Sequence, residues 1–101
     1  MITKKYLKTK EVAKVTFSLT KKQHGDAKKV AIAGDFNKWS TTETPLKKNK
    51  DGKFSVTVDL EKGKSYQFRY VIDEKTWEND WKADAYVPNN LTFDENSVVE
   101  V

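Results

Sequence analysis

The residues best suited to chemistry in this 101-residue chain are aromatic and amide groups, not a nucleophile or a metal cluster. Gly34-Asp35-Phe36-Asn37-Lys38-Trp39 directly follows the apolar stretch Val30-Ala31-Ile32-Ala33. Trp39 therefore comes just after a turn, and no apolar residue follows it until Pro45-Leu46. A flat, rigid aromatic so placed suits stacking on the C–H face of a sugar ring, whose edge hydroxyls then need fixed donors and acceptors. Trp77, Arg69 and Asn96 are of the right types to complete such a site. Arg69 is the one arginine beside 18 lysines. Its planar fork of donors suits fixed hydrogen-bond geometry better than a lysine does.

Other chemistries find little support. His24, the single histidine, lies in a polar stretch beside Gly25 with no cysteine partner, and reads as a solvent-exposed loop residue. One histidine and no cysteine supply no metal cluster, so neither a metal nor a cofactor is expected. A glycosidase needs two carboxylates across a cleft. Asp35, Asp73, Glu78, Asp80 and Asp84 offer carboxylates, but nothing in their spacing marks a pair. No enzymatic activity is expected. The net charge of +4 is uneven, with 13 lysines against 4 acids in residues 1–50 and 6 basic residues against 11 acids afterwards. The basic half raises nucleic acid as a partner. The lysines are spread over strands and loops and the arginine content is low, so a solvated surface is the reading preferred, with no nucleic acid and no membrane partner.

The elements that must position these residues are strands. Val15, Phe17 and Leu19 alternate with polar residues, as do Phe54, Val56, Val58 and Leu60, and then Tyr66, Phe68, Tyr70 and Ile72. Arg69 falls on the face opposite the last set. Asp51-Gly52 and Lys62-Gly63-Lys64 are turn signals. Leu46 is an inward anchor, Phe36 closes one end of the core, and residues 21–26 form a polar loop. Residues 74–97 read as irregular, and Val98, Val99 and Val101 as a closing strand. About seven short strands in about 100 residues predict an all-β, immunoglobulin-like antiparallel sandwich. Residues 1–11 read as an N-terminal arm or edge strand and 12–101 as one domain. The lack of a signal-like apolar stretch and of cysteine makes a cytoplasmic location the default expectation.

The order Gly-Asp-Phe-Asn-x-Trp, a strand after Asp-Gly, Tyr66-Gln67-Phe68-Arg69-Tyr70-Val71-Ile72-Asp73, Trp77, then Glu95-Asn96-Ser97-Val98-Val99 resembles the family 48 carbohydrate-binding modules. These include the early-set domains at the N-termini of isoamylases and glycogen branching enzymes and the glycogen-binding domain of the AMP-activated kinase β subunit. The short stand-alone bacterial versions are the most similar. The resemblance spans roughly residues 12–101. It implies an early-set fold that binds α-1,4-glucans such as glycogen, starch or maltodextrin. Trp39 and Trp77 would stack on glucose, while Arg69 and Asn96 would bind hydroxyls. It also implies that Leu91-Thr92-Phe93-Asp94 lies near the glucan. The turn before Trp77 departs from the family, reading Asp73-Glu74-Lys75-Thr76, one residue longer and without glycine. Aromatics set at an angle follow the curvature of an α-1,4 chain, whereas a flat β-1,4 chain prefers coplanar platforms.

Each residue also has a plainer reading. Trp39 could cover the core edge, and Trp77 could cluster with Trp81 and Tyr86, where Trp81 is expected to pack. Arg69 could pair with Asp73 or Glu78, and Asn96 could cap the last turn. A second function fits the same resemblance: an interaction module that docks onto a glycogen- or starch-active enzyme, its sugar site reduced or lost.

Overall fold

The structure, a computed structural model, describes residues 2–8, 11–88 and 95–101. Among these residues nine strands form two antiparallel sheets. The strands are β1 (Ile2–Tyr6), β2 (Val12–Leu19), β3 (Val30–Gly34), β4 (Lys47–Lys48), β5 (Phe54–Glu61), β6 (Ser65–Ile72), β7 (Thr76–Glu78), β8 (Ala85–Pro88) and β9 (Glu95–Glu100). One sheet has the order β1-β2-β5-β4, and the other has β3-β6-β9-β8, with β7 also paired to β6. This is the expected sandwich, with two short strands more than the seven read from the sequence.

The alternation sets the register. Val15 faces Val58, Phe17 faces Val56 and Leu19 faces Phe54 across β2 and β5. Residues directly opposite share a face, so one whole set turns inward. Against it packs the inward set of β6 and β9, with Phe68, Tyr70 and Val99 fully buried. Phe17 meets Phe68 edge-on at 4.9 Å between ring centroids and stacks on Phe36 at 5.8 Å. Phe36 also touches Tyr66, so it closes one end of the core as expected. Leu46 is buried.

Three segments differ from the sequence reading. Residues 21–24 form a short helix, α1 (Lys21–His24), rather than a loop. Its N-cap Thr20 donates its backbone N–H to Gln23 Oε1 at 2.8 Å, and Gly25 ends the helix at φ 54°. His24 is buried, not exposed. Its Nδ1 accepts the Ala27 N–H at 3.2 Å, so Nε2 is the donor to the Gly52 carbonyl at 2.6 Å. His24 thus pins α1 to the turn before β5. Residues 74–97 are also less irregular than expected, since β7, β8 and the start of β9 fall within them. Their short lengths and polar residues hide the alternation.

Strand β1 forms the outer edge of its sheet, with Lys4 opposite Val15. Lys4 Nζ reaches Asp84 Oδ2 at 2.6 Å and so ties that edge to the other sheet. Burial pushes the Asp84 carboxyl up, but the Lys4 ammonium and the Glu100 N–H together hold it below its ordinary value. Tyr70 hydroxyl donates to buried Asp80 at 2.6 Å. Burial foremost, then the Asp80 charge, pushes the Tyr70 phenol far above its ordinary range.

Candidate functional site

The Gly34–Trp39 run has a structural account residue by residue. Gly34 ends β3 where any side chain would collide: an added Cβ would lie 2.6 Å from the Gln67 carbonyl oxygen. Asp35–Asn37 then make one turn of 3-10 helix. Asn37 is buried and fully used: its Oδ1 accepts the Gly34 N–H at 3.0 Å, and its Nδ2 donates to Ile32 O at 2.9 Å and to Thr44 Oγ1 at 3.0 Å. Lys38 and Trp39 both take left-handed backbone conformations, at φ 56° and 59°. For a bulky residue such as Trp this is a costly conformation that persists only where the surroundings impose it. Here they do, because Trp39 N–H donates to Gly34 O at 2.9 Å and the indole Nε1–H donates to Asp35 Oδ1 at 3.0 Å.

Asp35 is the site residue that sequence reasoning missed. Its second oxygen accepts the Gln67 backbone N–H at 2.8 Å, so one carboxylate joins the Trp39 indole to β6. Its proximity to Trp39 in the motif was the available signal, but a carboxylate four residues before a tryptophan is not distinctive by itself. The indole is half-buried, less exposed than the sequence suggested.

Strand β6 carries the other residues. Its pairing places Arg69 opposite Ala33, and Val71 opposite both Ala31 and Trp77. Gln67 pairs with Val98, and the same register sets Asn96 level with Arg69. Arg69, Trp77 and Asn96 therefore share the outward face of the β3-β6-β9-β8 sheet, and Asp35 ties Trp39 to the Gln67 end of that face. Trp77 is 43% exposed, whereas Arg69 and Asn96 are only 8% and 6% exposed.

The polar groups are held mainly by backbone and amide partners. Arg69 Nε and one terminal nitrogen both donate to the Glu95 carbonyl, at 3.0 and 2.6 Å, and Asn79 Nδ2 donates to the same oxygen at 2.8 Å. Arg69 thus fixes the start of β9 and does not form the ion pair with Asp73 or Glu78 considered from the sequence. Asp73 instead accepts the Lys29 and Lys28 N–H groups, which hold its carboxyl below the ordinary value. Asn96 lies within β9, not at a turn cap, and its Nδ2 donates to Gln67 Oε1 at 3.0 Å. The longer turn before Trp77 places Asp73 and Glu74 at φ 51° and 63°, a tight hairpin turn made without glycine.

Trp81 does not pack as expected and is 58% exposed. The residues on either side of it are anchored, with Asp80 bound by Tyr70 and Ser97, and Tyr86 hydroxyl bonded to the Asp80 carbonyl oxygen. Asn89 to Asp94, including the segment expected near a glucan, lie outside the described residues. A groove of about 380 Å³ lined by Val30, Ala31, Pro45, Leu46, Phe54 and Val71, among others, shares Ala31 and Val71 with this outward face but includes none of Trp39, Arg69, Trp77 and Asn96. Among the described residues no group of three or more metal-ligating side chains occurs, and no helix is long and apolar enough to cross a membrane.

The sequence pattern of the family described as the glycogen recognition site of AMP-activated protein kinase matches residues 13–99. No individual curated protein matches the chain. The family is a carbohydrate-binding module, and the match takes in β3, β6, β7 and the strand carrying Asn96. With the match running from β2 almost to the end of β9, this chain belongs to the glycogen recognition family of AMP-activated protein kinase.

Proposed function

We propose that this carbohydrate-binding domain binds α-1,4-glucans (glycogen, starch or maltodextrin) without catalysing any reaction on them. Trp39 and Trp77 stack on glucose rings. Asn96 and the uncommitted guanidinium donors of Arg69 bind the ring hydroxyls at the floor between them. The observation that carries this reading is the state of Trp39: a half-exposed indole in a left-handed backbone conformation, fixed by the Asp35 carboxylate. A tryptophan that merely covered a core edge would need neither the strained backbone nor the clamp. Stacking on a preset ring lowers the ordering cost of binding. A shallow face and a flexible ligand still limit one module to roughly micromolar to millimolar affinity. Salt should have little effect, since the ligand carries no charge to neutralise.

The second reading is an interaction module that docks onto a glycogen- or starch-active enzyme. Trp81 favours it, as a 58% exposed indole on an anchored segment. The test for the first reading is an NMR titration of the three indole N–H signals with β-cyclodextrin and maltoheptaose. Saturable shifts at Trp39 and Trp77 are expected, and they should vanish in a folded Trp39→Ala variant. No shift at millimolar ligand would leave docking as the function.

A further inference from the structure

Gln67 sits at the junction of the proposed site, and neither the sequence motif nor the family match assigns it a role. Its backbone N–H is held by Asp35 Oδ2 at 2.8 Å, the carboxylate that also holds the Trp39 indole. Its side-chain oxygen accepts from Asn96 Nδ2 at 3.0 Å. Gln67 is two residues from Arg69 on the same outward face and is half-buried. An amide has one acceptor oxygen and two N–H donors. With the oxygen turned to Asn96, the nitrogen points its donors away from that bond, and among the described residues no group accepts them.

We propose that Gln67 is a further ligand-binding residue, whose Nε2 donates to a glucose hydroxyl between the Trp39 ring and Asn96. The proposal rests on the glucan reading above and adds a donor to it. The chain Trp39–Asp35–Gln67–Asn96 makes the contact specific. The stacking ring, the amide donor and the Asn96 side chain are fixed relative to one another by three hydrogen bonds of 3.0, 2.8 and 3.0 Å. A ring seated on Trp39 therefore presents its edge to donors already in place. A sugar lacking the hydroxyl would lose this bond and bind correspondingly less tightly.

The experiment is a β-cyclodextrin titration of the wild-type chain, Gln67→Glu and Gln67→Met, following the indole signals and the Gln67 side-chain NH2 pair, with a thermal melt of each protein. Glu keeps the acceptor for Asn96 and loses both donors; Met keeps the shape and loses both functions. The expected result is a shifted Gln67 NH2 pair in the wild type and an affinity about three- to tenfold weaker in both variants, with folding retained. A wild type that saturates at Trp39 and Trp77 while Gln67→Glu binds equally well would overturn the role of Gln67 and leave the glucan reading intact. A wild type with no shifts would overturn both.

Discussion

Removing the Asp35 carboxylate should both destabilise the fold and loosen the site. In Asp35→Ala two hydrogen bonds disappear, one from the Trp39 indole at 3.0 Å and one from the Gln67 N–H at 2.8 Å. A hydrogen bond to a charged group contributes about 1.5–3 kcal/mol when sheltered. Asp35 is exposed, so water competes for both partners, and the combined loss is set at about 1–2 kcal/mol. For a domain of this size that is a fall in Tm of about 5–10 °C. The second consequence is at Trp39. A freed indole must be reordered on binding, at about 0.5–1.5 kcal/mol, which weakens glucan affinity about two- to tenfold. Asp35→Asn keeps one acceptor oxygen and should fall between the wild type and Asp35→Ala on both counts. Thermal melts and a cyclodextrin titration measure the two effects, and the Trp39 indole N–H signal of the free protein reports the bond directly. A melt unchanged within about a degree, with that signal unmoved, would refute the clamp.

Three further outcomes follow from the turns. Gly34→Ala should destabilise by about 3 kcal/mol in urea unfolding, since its Cβ would meet the Gln67 carbonyl at 2.6 Å and the Phe68 Cβ at 2.8 Å, neither free to yield. Glu74→Gly should stabilise by about 0.5–1 kcal/mol, because it removes the left-handed strain at φ 63° and loses only an exposed pairing with Lys29 at 3.4 Å. Asp73 titrates below its ordinary value of 3.8 in the folded chain, so its stabilisation is present above that value and is lost as pH falls through the lower folded value. Asp73→Asn, which keeps an acceptor for both N–H groups, should therefore show a flatter loss of stability below about pH 4, measured by melts across pH.

The fold was legible where alternation runs long. Strands β2, β5 and β6 each carry eight residues with three or four inward apolar positions, so their faces were assigned correctly. Strands β4 and β7, of two and three residues, are too short for any period to register. Helix α1 was missed for the same reason, although its Thr20-x-x-Gln23 cap and Gly25 stop are present in the sequence. Of the candidate site, the types and numbers of Trp39, Arg69, Trp77 and Asn96 were legible, and the register puts the last three on one face. The partners were not. Whether Arg69 meets an acid or a carbonyl depends on where β9 begins, and Asp35 acts through a side-chain bond that leaves no periodic trace.

The two outward faces of the sandwich differ in how much they bury. An antiparallel sheet needs only one buried face. The β2-β5 sheet follows that rule, with Thr16 bonded to Thr57 at 2.8 Å and Lys14 to Asp59 at 3.2 Å on its solvated side. The β6 sheet does not: Ala31, Ala33, Arg69, Val71, Asn96 and Val98 on its outward side are all buried. Small apolar side chains form a floor there, and the polar groups set into it are bonded to the Glu95 carbonyl and the Gln67 amide. Burying an arginine and an asparagine costs free energy unless they are bonded, and once bonded they cannot rearrange cheaply. A face that only needed to be soluble would place them in water, as the other sheet does. Their burial and bonding hold the floor in place, so in the proposed role a flexible glucan would meet polar groups already ordered.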